Sequence, residues 1–241
     1  MKGVYRKVTV LATVGALLGG VGSAGARPPS AYREYDSALF VSGGFKLAFP
    51  KKGGPQEPRS RGEEEAVSPV LLPLSVSSFR TVGNPIMPKR VASGVSGLDA
   101  DTRRQLEAAL LTLLREYEQL LDRNDDPRLK NNLAGAFNHL FLSSYKALKG
   151  GGLTPEQQKS MLMQLNAGFA LGLKERRLSD REKQELYESA VLSGSIILGL
   201  YNEGRDKDRK TARELARALL EQLMGITPER IHTDGDSVWI D

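Results

Sequence analysis

The chain contains no cysteine at all. That excludes disulfides, thiol catalysis, thiolate metal sites and a lipid-modified N-terminal cysteine. Histidine is almost as scarce, with only His139 and His232. Two histidines so far apart need a third ligand to hold zinc, and no H-E-x-x-H spacing supplies one. There is also no G-x-S-x-G elbow to present a nucleophilic serine and no Walker loop to cradle phosphates. The expected catalytic, cofactor and metal residues are therefore none, and the binding residues are unknown.

Long apolar runs are missing too. The longest lies at the start, where Val8 to Val21 is uncharged and follows Lys2, Arg6 and Lys7. At 14 residues, with glycines through its second half, it falls short of the ~20 that a membrane-spanning helix needs. Ala24-Gly25-Ala26 then places small residues where a signal peptidase reads them. This order of basic, apolar and small residues predicts a secretory signal over 1–26, cleaved between Ala26 and Arg27. No stable transmembrane anchor is expected after cleavage, and the expected location is the periplasm or the extracellular side of the cell envelope.

Basic charge is unevenly spread. The chain carries +5 formally, of which residues 1–26 hold +3 and residues 27–98 hold +4, while residues 99–241 total −2. A nucleic-acid-binding domain shows its basic footprint on the folded part. Here that part is mildly acidic, so no nucleic-acid partner is expected.

Most of the twelve prolines fall between Arg27 and Leu98. The stretch from Lys51-Lys52-Gly53-Gly54-Pro55 to Glu63-Glu64-Glu65 has almost nothing to bury, as in a linker without stable structure. Two islands are more apolar. Tyr32 to Phe49, around Gly43-Gly44, suits a short hairpin. Val67 to Val91 carries Pro69, Pro73, Pro85 and Pro88, a density that argues against any helix or central strand. Its apolar residues either lie over the following domain or dock a partner.

From Asp99 the apolar period becomes 3.6, and local signals punctuate five helices. The first spans about Asp99 to Arg123, with Leu106, Leu110, Leu113, Leu114, Tyr117, Leu120 and Leu121 as its stripe. Asp126-Pro127 is read as the cap and first residue of the second, which ends at Gly150-Gly151-Gly152. Thr154-Pro155-Glu156-Gln157 and Ser179-Asp180-Arg181-Glu182 are capping boxes that open the third and fourth. The fourth is apolar nearly all round past Ala190, which predicts the most enclosed position. Gly168, Gly172, Ala190 and Gly194 recur at four-residue spacing, as at close helix contacts. A fifth helix follows to Met224 and Gly225, then a turn at Thr227-Pro228-Glu229 and a tail containing Trp239. The expected fold is all-α: a five-helix bundle-like domain over 99–241, behind a signal peptide (1–26) and a largely extended arm (27–98).

The segment Leu178-Ser179-Asp180-Arg181-Glu182-Lys183-Gln184-Glu185-Leu186-Tyr187-Glu188 is followed by this apolar helix and by Gly225-Ile226-Thr227-Pro228-Glu229-Arg230-Ile231. Together they resemble a family of exported bacterial proteins of unknown function. The resemblance covers about Asp99 to Ile231. It implies a signal peptide and a helical domain, and it carries over no activity and no functional residues.

The remaining candidates for chemistry each have a plainer reading. His139 adjoins the stripe residues Leu140 and Phe141, as a boundary histidine does. Glu182, Glu185 and Glu188 recur every third residue on a helix, but Glu182 belongs to a capping box. The other two alternate with Arg181 and Lys183, which reads as a solvated face. Ser143, Ser144, Ser193 and Ser195 have no partner motif. Asp234-Gly235-Asp236 resembles part of a calcium loop without its closing acid, and reads as a turn. The basic cluster Lys174, Arg176, Arg177, Arg181 and Lys183 is diluted by Glu175, Asp180 and Glu182. The leading functional reading is an exported, non-enzymatic helical module that binds an envelope protein partner. The alternative is a small-molecule or lipid binder with an inter-helix pocket lined by Met161, Met163 and Met224. An unrecognised hydrolase ranks third.

Overall fold

The computed structural model describes residues 72–240. The expected signal peptide, its cleavage point at Ala26 and Arg27, the hairpin at Tyr32–Phe49 and most of the arm lie outside the described residues. Within them run six helices: α1 (Met87–Gly94), α2 (Ala100–Arg123), α3 (Leu133–Lys149), α4 (Pro155–Glu175), α5 (Asp180–Glu203) and α6 (Asp206–Leu219). A two-stranded antiparallel hairpin, β1 (Ile231–Asp234) and β2 (Ser237–Ile240), ends the described chain.

Local punctuation sets most helix ends. Asp99 accepts the Thr102 amide at the start of α2 (2.8 Å). The Thr154/Gln157 and Ser179/Glu182 capping boxes open α4 and α5 with both reciprocal bonds formed, which satisfies amides that a helix start leaves unpaired. α3 departs from the expectation. Pro127 begins only a 3-10 turn to Leu129, and Asp126 caps nothing with its side chain. The helix itself starts at Leu133, where Asn132 accepts the Gly135 amide at 2.9 Å. Gly150 ends α3 at φ +78°, a left-handed conformation that glycine adopts without steric cost.

α5 is enclosed as its apolar circumference predicts, packed on α3, α6 and α2 and touched by α1. The contact at Gly194 is with α3. A Cβ built there would lie 2.8 Å from the His139 ring and 3.0 Å from Leu140 Cα, so the bare backbone permits the approach. α4 packs on α3 and on β2, and the Gly194 contact does not reach it.

The core extends well before residue 99. Phe79, Met87, Val91, Ala92 and Val95 are buried in the same cluster as the helix stripes. The expectation that prolines forbid a helix there fails at α1, because Pro88 sits in the first turn. Its missing N–H would have no helical partner at that position. α1 has no side-chain cap of its own. The Glu188 carboxylate of α5 caps it instead, accepting the amides of Ile86 (2.8 Å) and Met87 (2.7 Å). Farther upstream, the buried side chains of Asn132 and Asn166 donate to the carbonyls of Leu74 and Leu72. Residues 72–79 are thereby tied down as a strap.

The hairpin also departs from an all-α reading. Asp234-Gly235-Asp236 is its turn, with Gly235 at φ +49°. Val238 and Ile240 point into the core, while Trp239 pairs with His232 across the strands, rings 5.6 Å apart.

Three substitutions test this packing by chemical denaturation. Ile197→Ala is expected to cost about 2–5 kcal/mol by leaving a cavity in an enclosed site. Gly194→Leu is expected to cost at least ~1–3 kcal/mol by separating α5 from α3. Glu188→Ala, which strands two amides, is expected to cost about 2–4 kcal/mol.

Candidate functional site

Two polar constellations occupy the described residues. The first lies along the start of α5. Glu185 and Glu188, expected on a solvated face, are 5% and 3% exposed. Arg90 of α1 binds Glu185 through two parallel bonds, 2.9 and 2.7 Å, and Arg181 adds a third contact at 3.3 Å. The Arg90 bond holds the Glu185 carboxyl below its usual range. Burial pushes Glu188 upward, against the amides of Met87 and Ile86 and the Gln184 side chain. Gln184 itself bridges, donating to Glu188 (2.8 Å) and accepting the Val82 amide (2.6 Å). Every acid here is committed to holding residues 82–90 against α5. Acid–base chemistry needs a carboxyl free to meet a substrate, and these two are not.

The second constellation is a half-open cleft of about 770 Å³. Its walls are the last turns of α2 (Tyr117, Leu120, Leu121), the 3-10 turn (Asp126, Arg128, Leu129), the first half of α3 (Asn138, His139, Leu142) and the start of α4 (Gln158, Lys159, Leu162, Met163). The strap at Leu72–Leu74 closes one side. The lining is thus apolar for the most part, and Leu120 is one of the few large apolar side chains left substantially exposed, at 37%.

His139 supplies the polar centre of that wall. Its Nε2 shares a hydrogen bond with Ser195 Oγ at 3.1 Å, and its ring lies 4.8 Å from that of Tyr117. Desolvation alone lowers its pKa, to about 4, with no carboxylate opposing the shift. A serine and a histidine in contact invite comparison with a nucleophile and its base. A base with a pKa of about 4 accepts a proton poorly at neutral pH, and no acid orients the ring. The pair is a hydrogen-bonded contact between α3 and α5.

The other sequence candidates fall apart from this site. Ser143, Ser144 and Ser193 are buried. Met161 and Met224 are core residues, and of the three methionines only Met163 reaches the cleft. In the basic cluster, Arg181 pairs with Glu185, and Lys183 lies 4.0 Å from Asp180. Among the described residues, no group of three or more His, Asp or Glu is placed to hold a metal ion, and no helix is long and apolar enough to cross a membrane.

Sequence reasoning missed the buried polar ties. One signal was present: Gln184, Glu188, Val191 and Leu192 share a helical face, and the last two are as apolar as any core pair. Asn132 and Asn166 gave no such signal, because their partners lie in a strap distant in sequence.

A family model matches residues 62–238, most of the chain. The chain belongs to DUF6683, a family of unknown function. No curated protein and no solved structure matches it. The DUF6683 match takes in the strap and α1 together with the later helices, in keeping with the shared core they form.

The desolvated imidazole predicts a pH dependence with a definite sign. The unfolded chain binds a proton at histidine near pH ~6.5, whereas folded His139 binds one only near 4. The unfolded state therefore holds more protons between these values, and stability falls as pH drops through that window. Denaturation from pH 7 to pH 5 is expected to show this loss, partly offset by Glu188, whose raised carboxyl takes up protons in the folded state. His139→Gln is expected to flatten it.

Proposed function

We propose that this chain is an exported, non-enzymatic helical binding module whose binding site is the cleft between α2, α3 and α4. The cleft itself carries the reading. Its volume of about 770 Å³ lies within the roughly 300–1,000 Å³ of small-molecule sites, which are mostly apolar with a few placed polar groups. Here the apolar part comes from three helices, and the polar part from His139, Asn138 and Lys159. Support for a non-enzymatic role is the commitment to structure of Glu185 and Glu188, the buried acids among the described residues, together with a histidine that stays neutral at ordinary pH.

This favours a ligand of small-molecule size. A second reading, docking of an envelope protein partner, draws on Leu120, whose exposed side chain lies at the cleft. Export rests on the order of Lys2, Arg6 and Lys7, the apolar stretch Val8 to Val21, and Ala24-Gly25-Ala26. The proposed organisation is a leader over 1–26, an arm over 27–98 whose last part packs on the helices, and the helical region that follows.

Mass spectrometry of protein from its native host tests export: the chain is expected to begin at Arg27, and soluble cytoplasmic protein still starting at Met1 contradicts it. Displacement of an environment-sensitive apolar dye tests the cleft. Leu120→Glu is expected to weaken dye binding at least ~10-fold while leaving the cooperative fold intact, since the side chain already meets solvent. Unchanged dye binding removes the cleft as the site.

A further inference from the structure

The charges on the cleft wall point to the class of ligand. Three ionic side chains line it: Asp126, Arg128 and Lys159. Asp126 and Arg128 form an ion pair at 3.0 Å and largely cancel. Lys159 makes no ion pair or hydrogen bond among the described residues, although it stands beside Gln158, which is bonded to the Leu153 carbonyl. His139 adds no charge at neutral pH, because desolvation keeps it unprotonated. The cleft therefore holds one unbalanced positive charge next to apolar walls from Leu120, Leu162 and Met163. The net charge of residues 99–241, by contrast, is −2. A positive site on an acidic region attracts an anion locally while the remaining surface does not.

We infer that the cleft takes a small anionic amphiphile: a carboxylate on a medium-length apolar chain, with the carboxylate against Lys159 and the chain between α2, α3 and α4. This deepens the binding reading above and rests on it. The geometry suits one chain rather than a membrane surface, because the apolar part is a recess between helices and the cation stands at its wall. The neutral imidazole of His139 matters equally. Charged, it would find the one acid of the wall, Asp126, already paired with Arg128, and an apolar chain would lie against an unpaired cation.

Calorimetric titration of the full chain at neutral pH, with octanoate and with octan-1-ol, separates the two claims. The probes share an apolar chain and differ in the charge of the head. Octanoate is expected to bind about 2- to 5-fold more tightly than octanol, the range of a solvent-exposed ion pair, and raised salt is expected to shrink the difference. Lys159→Gln is expected to abolish the preference by lowering octanoate affinity to that of octanol. Neutralising the ion pair together, with Asp126→Asn and Arg128→Gln, is expected to retain the preference. Equal affinity for the two probes, or a preference that survives Lys159→Gln, overturns the anionic ligand while the binding reading stands. If neither probe binds, or if binding leaves the His139 imidazole resonances unmoved, the cleft is not the site and both readings fall.

Discussion

A single buried carboxylate joins the two halves of this fold. Glu188 lies on α5, the most enclosed helix, and accepts the first amides of α1. Those amides have no intrahelical partners, and α1 has no cap of its own. A buried carboxylate without donors is costly, as are buried amides without an acceptor. Each therefore requires the other. The bidentate pair of Arg90 with Glu185 and the bridging Gln184 extend the same seam in both directions.

The seam also determines where the cleft lies. With residues 82–95 held on α5, the chain before them must cross α3 and α4, and it does so as the strap at 72–79. Asn132 and Asn166 fasten that strap at Leu74 and Leu72. Ser77 Oγ donates to Asn166 at 2.7 Å, and Phe79 N–H to the Asn131 carbonyl at 3.0 Å. Leu72 to Leu74 then form one wall of the recess whose other walls are helical. The polar groups of the recess are fixed from behind: His139 is held by Ser195 of α5, where Gly194 allows the two helices to approach. The site is thus built on helices, with only one wall from an irregular segment.

What could be read from the sequence was local. The two capping boxes and the glycine stops involve residues three or four apart, so their chemistry is visible in a short window. The enclosure of α5 was legible because its apolar residues cover nearly the whole circumference. What escaped depends on distant partners. α1 is stabilised by Glu188, about a hundred residues away, and the prolines around it seemed decisive only without that acceptor. Glu185 and Glu188 looked solvated because they alternate with Arg181 and Lys183, yet their closest partners come from residues 86–90. Asp126-Pro127 has the right residues for a helix start, but Asn132 wins because its side chain both caps α3 and bonds the strap. The cleft was anticipated as a pocket with three methionines, and only Met163 lines it, since Met161 and Met224 face inward.

The central claim is that residues 72–98 are part of the same folded unit as the helices that follow. Native-state hydrogen exchange at the Ile86 and Met87 amides tests it most directly, because both donate to Glu188 across the seam. The account predicts that they exchange only with global unfolding, at the rate of the α5 core amides around Val191 and Leu192. Fast exchange at Ile86 and Met87 while α5 stays protected would show a separable arm and contradict the account.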